Sequence, residues 1–244
     1  MDQDDLPAGR VLGRREALGA LGASGLALLS DRWLPGWYRT APTGQAPGCV
    51  VRPEQMEGPY FVDGMLDRSD IRADPDTGEV KAGTPLLLTL AVSTVRDRAC
   101  TPLAGAHVDV WHCDALGVYS GVKDPHFETT GHHYLRGWQR TDQKGEARFR
   151  TIYPGWYPGR AVHIHFKVRT DPAADRGHVF TSQLYFDDAL TSRVHQAPPY
   201  SSKSGGRAMN ADDEIFAEGG DQLVLAPERS GDGWTARFSV ALQS

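Results

Sequence analysis

Cysteine is scarce in this sequence, with three residues in a chain of 244, and no two of them form a C-x-x-C pair. That scarcity excludes a disulfide-rich scaffold and argues against a structural zinc site. Basic residues are also few, with 26 Lys and Arg against 31 Asp and Glu. The resulting net charge of −5 argues against a nucleic-acid-binding protein, and we expect no nucleic-acid partner.

Long hydrophobic runs are missing as well. The most apolar stretch, residues 19–29, is interrupted by Gly and Ser. It falls short of the roughly 20 apolar residues that a membrane-spanning helix requires. We therefore expect no stable insertion of the mature protein in a membrane.

Glycine and proline, by contrast, are plentiful, with 27 and 16 residues, and they follow no repeat. This excludes collagen and favours a fold rich in turns and strands. Hydrophobic residues make up 40% of the chain, which is enough for a buried core. The length suits one domain with a short appendage.

The first 48 residues differ in character from the rest. Arg14 and Arg15 precede the apolar stretch 19–29, an arrangement that resembles a twin-arginine export signal. Residues 35–47 are rich in Pro, Gly and Thr and are typical of a flexible linker. We therefore predict an export leader and linker over 1–48, a folded domain over 49–244, and an extracellular, cell-surface or periplasmic location. An ordinary amphipathic helix is the alternative for the leader.

Export would permit disulfide bonds, which persist in oxidising compartments. Cys49, Cys100 and Cys113 allow one bridge and leave one thiol over. The sequence does not decide which two cysteines pair.

Short stretches of alternating apolar and polar residues dominate the chain from Pro85 onward. In the first of them, Leu86, Leu88, Leu90 and Val92 alternate with their neighbours, as in a strand with one buried face. The others are 106–110, 146–152, 161–169, 179–187, 222–226 and 234–240. Turn residues separate these stretches, so we predict a mainly β fold, an antiparallel β-sandwich core with long loops.

Helices are predicted at two places only, over 188–194 and 212–217, each about two turns long. Residues 118–138 show little periodicity. A stretch of this length without a regular pattern is typical of a functional loop.

All nine histidines lie after residue 106, and two of them, His163 and His165, stand two apart in a predicted strand. Residues two apart on a strand point to the same face. Ile164 and Phe166 are therefore predicted to face the core, while the two imidazoles project together from the other face. Such a pair is half of a metal site; two surface histidines are the alternative for the pair by itself.

A longer, ordered pattern surrounds the histidine pair. It consists of the segments 105–120 (GAHVDVWHCDALGVYS), 151–160 (TIYPGWYPGR), 53–61 (PEQMEGPYF) and 181–186 (TSQLYF). Together these segments resemble the intradiol ring-cleavage dioxygenases, the ferric enzymes that include protocatechuate 3,4-dioxygenase and catechol 1,2-dioxygenase. The resemblance covers roughly residues 49–187 and rests on G-x-Y followed by P-G-x-Y-x-x-R-x-x-H-x-H.

The resemblance implies an iron site with one Fe(III) per chain. The positions that match the four ligands of the family are Tyr119, Tyr157, His163 and His165. Tyr119 would be the tyrosinate that stays bound, and Tyr157 the one that leaves when the substrate arrives.

The resemblance also implies the surroundings of the metal. Arg160 matches the arginine of the active site, and Gln183 matches a glutamine beside the metal ligands. Pro59 and Tyr60 match the segment that lines the substrate pocket. The reaction implied is cleavage of a catechol by O2 between its two hydroxyls, giving a muconate-type dicarboxylate.

The chemistry of the donors agrees with a trivalent metal. A free tyrosine has a pKa near 10, so ionisation at neutral pH requires stabilisation by about 4 kcal/mol per phenol. Phenolate is a hard anionic ligand, which suits a hard cation such as Fe(III).

Two other functions remain compatible with the residues alone. One is a non-catalytic secreted β-sandwich that binds a carbohydrate or a protein. The other is a divalent-metal hydrolase built on His163, His165 and an acidic third ligand. A homo-oligomer is compatible with all three functions.

Overall fold

The computed structural model describes residues 49–64, 66–97, 99–170 and 177–243. The predicted leader and linker, including Arg14 and Arg15, lie outside these residues. Within the described part of the chain, no helix combines the length and apolar character needed to cross a bilayer.

Strands make up most of the regular structure, as the alternating pattern predicts. They are β1 (Pro85–Arg96), β2 (Ala99–Pro102), β3 (His107–Trp111), β4 (Lys123–Asp124), β5 (Phe127–Glu128), β6 (Arg136–Arg140), β7 (Glu146–Ile152), β8 (His163–Arg169), β9 (Val179–Tyr185), β10 (Glu228–Ser230) and β11 (Gly233–Gln243). The α-helices of the described residues are α1 (Asp188–Val194) and α2 (Glu214–Ala217). Single 3-10 turns occupy Tyr200–Ser202, Asn210–Asp212 and Gly220–Leu223.

Two sheets form the sandwich. In the first, β1 pairs with β11 along one edge and with β7 and β2 along the other. The second sheet has the order β6-β3-β8-β9, and all of its pairings are antiparallel. The predicted antiparallel sandwich is confirmed, with one exception inside the first sheet, where β1 and β11 run parallel.

The core lies between the inward faces of the two sheets. On β1 the buried side chains are the four predicted from the alternation, at positions 86, 88, 90 and 92. Ile164 and Phe166 of β8 point inward as predicted, and the ring of Phe166 packs edge-on against Phe238 of β11, with centroids 6.2 Å apart. Fully burying one such side chain contributes about 2 kcal/mol.

Three predictions of local structure need correction. Residues 222–226, predicted as a strand, begin inside the 3-10 turn Gly220–Leu223 and form a single bridge, from Val224 to Tyr185. Strand β9 ends at Tyr185 rather than at 187, because Asp187 caps α1 by accepting the N–H of Leu190. Helix α2 has one turn and begins at 214, where Asp213 caps it.

The stretch 118–138 is more regular than its sequence suggests. It contains the hairpin β4–β5 and the first residues of β6. The predicted long loop is therefore correct only for residues 118–122 and 129–135, on either side of the hairpin.

A segment of extended chain, residues 53–63, crosses the outer face of the second sheet, and we name it the strap. The N–H of Gln55 donates to the carbonyl of Thr181 on β9. Lys167 of β8 pairs with Glu57, and Arg169 pairs with Asp63 at 3.0 Å. The strap therefore covers a sheet face that would otherwise be open to water.

Candidate metal centre

Two imidazoles meet on the covered face of β8. The Nε2 atoms of His163 and His165 lie 3.0 Å apart, and both side chains are buried. The Nδ1 of His163 donates to the carbonyl oxygen of Ala161 at 2.7 Å, which leaves the Nε2 of neutral His163 with a lone pair. The ring of His165 stacks on Trp111, with centroids 4.9 Å apart.

Two loops bring the tyrosines to this point. In the first loop, the side chain of Asp114 accepts the backbone N–H groups of Leu116 and Val118, and the chain turns through Gly117 with φ of +84°. This turn leads directly into Tyr119.

Two glycines allow the second loop to pack closely against the first. A Cβ on Gly117 would lie 2.1 Å from the carbonyl oxygen of Trp156, and one on Gly155 would lie 2.4 Å from that of Ala115. Glycine is therefore required at both positions. The close contact at Gly155, in the Pro154-Gly155 turn, thus holds Tyr157 beside Tyr119.

The four predicted metal ligands converge. The hydroxyl oxygens of Tyr157 and Tyr119 lie 3.2 Å and 3.5 Å from the Nε2 of His163. Tyr119 is fully buried, whereas Tyr157 is partly exposed and lines an open cleft. One phenol is thus fixed inside the protein, and the other faces the space from which a ligand enters.

These donors fit a metal cation. Two ligands about 2.1 Å from one ion and at right angles are about 3.0 Å apart, as the two Nε2 atoms are. Burial lowers the pKa of His163 to about 3 and that of His165 well below its ordinary value, so both imidazoles are neutral and available as ligands. Burial raises the pKa of Tyr119 and of Tyr157, so a phenolate at neutral pH requires a cation beside it.

Arg160 lies behind the centre in a network of buried polar groups. Its Nε donates to the Oδ2 of Asp213 at 3.0 Å, and its Nη2 donates to the Oε1 of Gln183 at 2.5 Å. Gln183 in turn donates to the carbonyl of Met56 in the strap. The hydroxyl of Tyr185 lies 3.2 Å from the same Oε1 of Gln183.

Asp213 is a site residue that the sequence did not reveal. Its Oδ2 also accepts the N–H of Ala161, while its Oδ1 accepts the N–H groups of Ile215 and Phe216 at the start of α2. Burial opposes its ionisation, but the N–H of Ala161 and the charge of Arg160 outweigh this and lower its pKa. Asp213 lies inside the helix predicted over 212–217, and an aspartate at the start of a helix signals at most a cap, not a partner 53 residues away.

Tyr60 of the strap, predicted to line the substrate pocket, contacts Tyr119. Its ring stacks on Tyr119, with centroids 4.5 Å apart, and its hydroxyl donates to the Oδ2 of Asp124 at 2.7 Å. Tyr60 and Tyr157 both line the cleft, whose volume is about 610 Å³. Pro59 is exposed and is not among the residues that line this cleft.

The other histidines of the central region have structural partners. His112 bridges the carbonyl of Cys113 and the hydroxyl of Thr151, and His107 contacts Asp109. His132 contacts Asp74 and His133 contacts Asp76, and neither residue lines the cleft. His126 lies in the cleft wall.

The cysteines pair in one of the ways left open. Cys49 and Cys100 form a disulfide that joins the start of the described chain to β2, and Cys113 is a buried free thiol. Over the described residues, no three His, Cys, Asp or Glu side chains converge as a metal site. A centre with an acidic third ligand, as the hydrolase alternative requires, therefore finds no support there.

Comparison with known proteins shows which family this chain belongs to. Residues 56–233 match the sequence profile of the family Dioxygenase_C, described as dioxygenase. The chain is 31% identical over 228 residues to chlorocatechol 1,2-dioxygenase of Pseudomonas putida, covering 83% of this chain and 81% of that protein. The chain belongs to the intradiol dioxygenase family.

Other members of this intradiol family agree in sequence and in fold. Catechol 1,2-dioxygenase 1 of Acinetobacter lwoffii is 30% identical over 196 residues, which span 68% of this chain but only 58% of that enzyme. The intradiol ring-cleavage dioxygenase of Tetranychus urticae superposes with a TM-score of 0.68 at 28% identity, covering 80% of this chain and 95% of that chain.

Proposed function

We propose that this protein is an Fe(III)-dependent intradiol dioxygenase. It cleaves a catechol between its two hydroxyls with O2 and forms a muconate-type dicarboxylate. The observation that carries the proposal is the convergence of two phenol oxygens and two imidazole nitrogens at one end of a cleft. Membership of the intradiol family supports the same reaction.

One Fe(III) would be held by Tyr119, Tyr157, His163 and His165. When bound, it supplies an electron-accepting centre that makes the bound catechol reactive towards O2. The donor set suits this ion, since two hard phenolates and two neutral imidazoles leave it with one positive charge. Because burial disfavours a phenolate that has no cation beside it, the two tyrosines ionise only when the cation is bound.

The side chains of the centre and of the cleft have separate tasks. Tyr157 lies on the cleft wall, so its phenolate oxygen can take up a proton from a catechol hydroxyl. Arg160 is held by Asp213 and Gln183, and its fixed positive charge stabilises negative charge on the substrate. Tyr60 stacks on Tyr119 and excludes water from its ring.

Oxygen uptake tests the proposal directly. The iron-loaded protein should consume one O2 per catechol, and the product should be heavier than catechol by two oxygen atoms. The iron-loaded protein should also absorb visible light through its tyrosinates. A protein that binds ferric iron without colour and leaves catechol intact would disprove the proposal.

The two alternatives have less support. A non-catalytic binding module does not explain why two tyrosines and two histidines share one buried point. Nothing in the described residues supplies the acidic ligand that the hydrolase would need.

We infer that the protein is exported. Arg14 and Arg15 precede an apolar stretch, and the Cys49–Cys100 disulfide is a bond that persists in oxidising compartments. Cell fractionation tests this inference, with the protein expected outside the cytoplasm and its two cysteines blocked to thiol reagents. Recovery only from the cytosol, with three reduced cysteines, would contradict it.

A further inference from the structure

The cleft beside Tyr157 is larger than a catechol needs. Its volume is about 610 Å³, whereas a cavity of about 150 Å³ holds one benzene molecule. The cleft is thus about four times the size that a single ring occupies. Volumes of roughly 300–1,000 Å³ are typical of sites for drug-sized ligands.

Aromatic and apolar side chains form the walls of the excess space. Phe127 of the β4–β5 hairpin faces Tyr60, with ring centroids 6.3 Å apart, and both line the cleft. Trp156 and Leu116 line it from the two ligand-bearing loops. Leu116 is 43% exposed, so its side chain is accessible to a ligand in the cleft.

Trp156 is held rigidly in this wall. The Nζ of Lys203 lies 4.4 Å from its ring centroid. A Cβ on Gly205 would lie 2.9 Å from the Cη2 of the indole, so the chain at Gly205 passes directly against the ring. A flat, fixed indole suits stacking with another aromatic ring.

The formal charges of the cleft are already engaged within the protein. Lys203 donates to the carbonyl oxygens of Leu116 and Trp156 at 2.5 Å and 2.6 Å. Asp124 accepts the hydroxyl of Tyr60 and the N–H of His126. Lys203 and Asp124 both line the cleft and their opposite charges cancel, so a carboxylate on the substituent gains no net attraction there.

We propose that this cleft contains a second-ring subsite, formed by Phe127, Trp156 and Leu116, that binds an uncharged aromatic group attached to the catechol. The centre then prefers two-ring catechols to catechol itself and to two-ring catechols with a carboxylate on the second ring. This inference rests on the proposed function, since the catechol ring must lie at Tyr157 for its substituent to reach the subsite.

A matched series of substrates tests the subsite. Catechol, 4-benzylcatechol and 4-(4-carboxybenzyl)catechol differ only in the second ring and its charge. We expect kcat/KM for 4-benzylcatechol to exceed that for catechol by about tenfold or more, and the carboxylated compound to lose this gain. Equal kcat/KM values for catechol and 4-benzylcatechol would overturn the inference.

Two leucines offer a matched pair of variants. Leu116→Trp fills the subsite. The ratio of kcat/KM for 4-benzylcatechol to kcat/KM for catechol should therefore fall by about tenfold. Leu87, which is 48% exposed on β1, is the control, and Leu87→Trp should leave the ratio unchanged. Phe127→Ala removes one wall and should lower the ratio too, which provides a second route if Leu116→Trp folds poorly.

Binding of a compound that cannot chelate a metal separates the subsite from the chemistry. The O-methylated compound 4-benzylveratrole cannot chelate a metal, yet it should quench tryptophan fluorescence through Trp156, and Phe127→Ala should weaken this binding. Failure of all catechols to react would disprove the proposed function. Turnover of catechol without binding of 4-benzylveratrole would disprove the subsite alone.

Discussion

The Nε of Arg160 and the Oδ2 of Asp213 lie 3.0 Å apart, and the side chain of Asp213 has no exposed surface. The same oxygen accepts the N–H of Ala161, whereas the other carboxylate oxygen caps α2. One oxygen of this buried carboxylate thus fixes both the arginine and the entry to the strand that carries His163, and the other oxygen has the separate task of capping α2.

Asp213→Asn should separate those tasks. Asparagine caps helices about as well as aspartate, but its amide nitrogen would face the donors of Arg160 and Ala161. We expect kcat/KM for catechols to fall by about 100-fold, the loss that a misplaced group causes. Asp187→Asn at the cap of α1 is the matched control and should leave kcat/KM unchanged. An unaltered kcat/KM in Asp213→Asn would show that Arg160 needs no such support.

The two tyrosines should respond differently to removal of the hydroxyl. Tyr157 borders the cleft and Tyr119 is buried. In Tyr157→Phe we expect iron to be largely retained while kcat falls sharply, because a proton acceptor is lost. In Tyr119→Phe we expect iron loading to fail. Metal analysis and visible absorption measure both effects, and full activity in either variant would refute the ligand assignment.

Gly58 of the strap allows a test of the position of His165. Its φ is +75°, and an added Cβ would lie 3.3 Å from the Cε1 of that histidine. Gly78 has almost the same φ, +74°, with no atom within 4 Å of an added Cβ. Both alanine variants should lose about 1–2 kcal/mol of unfolding free energy through backbone strain.

Only Gly58→Ala should also lower iron occupancy, because the methyl group presses on the imidazole. Iron content and the tyrosinate absorption report this effect separately from stability. Equal iron occupancy in the two variants would mean that His165 tolerates displacement.

The Cys49–Cys100 disulfide closes a loop of 51 residues. In the chain-entropy description such a bridge contributes about 4 kcal/mol to the free energy of unfolding. The double variant Cys49→Ser/Cys100→Ser should lose approximately this amount in denaturant titrations. A reductant should destabilise the wild type but leave the double variant unchanged; an equal response of the two proteins would contradict the bond.

Asp74 should contribute to stability against acid. Burial opposes its ionisation, but N–H groups of His133, Asp76 and Thr77 and the ring of His132 outweigh burial and lower its pKa to about 2. A depressed pKa stabilises the folded state above the ordinary pKa near 4, and this contribution is lost as the pH falls towards 2.

The depressed pKa of Asp74 contributes about 2.5 kcal/mol to the free energy of unfolding at pH 7. Asp74→Asn should be less stable than the wild type at pH 7, and the difference should shrink between pH 4 and pH 2. Thermal unfolding at several pH values measures it. A constant difference over that range would assign the effect of Asp74 to packing instead.

The predicted fold rested on patterns that are local in sequence. Alternation placed Leu86 and Ile164 in the core, and the two-residue spacing placed His163 and His165 on one face. These predictions are confirmed because side chains alternate along a strand with a fixed period of two residues, so the face of each residue can be predicted without knowing the neighbouring strands. Residues 222–226 share the alternation but form no strand in the structure, since only one bridge reaches them.

The rest of the site depends on contacts between distant segments. Asp213 meets Arg160 only because α2 packs beside the entry to β8, and Cys49 meets Cys100 only because the chain at residue 49 lies beside β2. Neither pairing has a sequence signature. The four ligand positions were predicted from resemblance, and the structure brings them together. The predicted leader and location remain predictions.

The parallel pairing of β1 with β11 has a consequence for the order of events during synthesis. A ribosome releases β1 long before β11, so the central strand of the first sheet waits without its longest neighbour until residue 243 has emerged. The sandwich and its buried donors then assemble together, after translation of the domain. Loading of the proposed iron would follow that late step, which the proposed export route for folded proteins would accommodate.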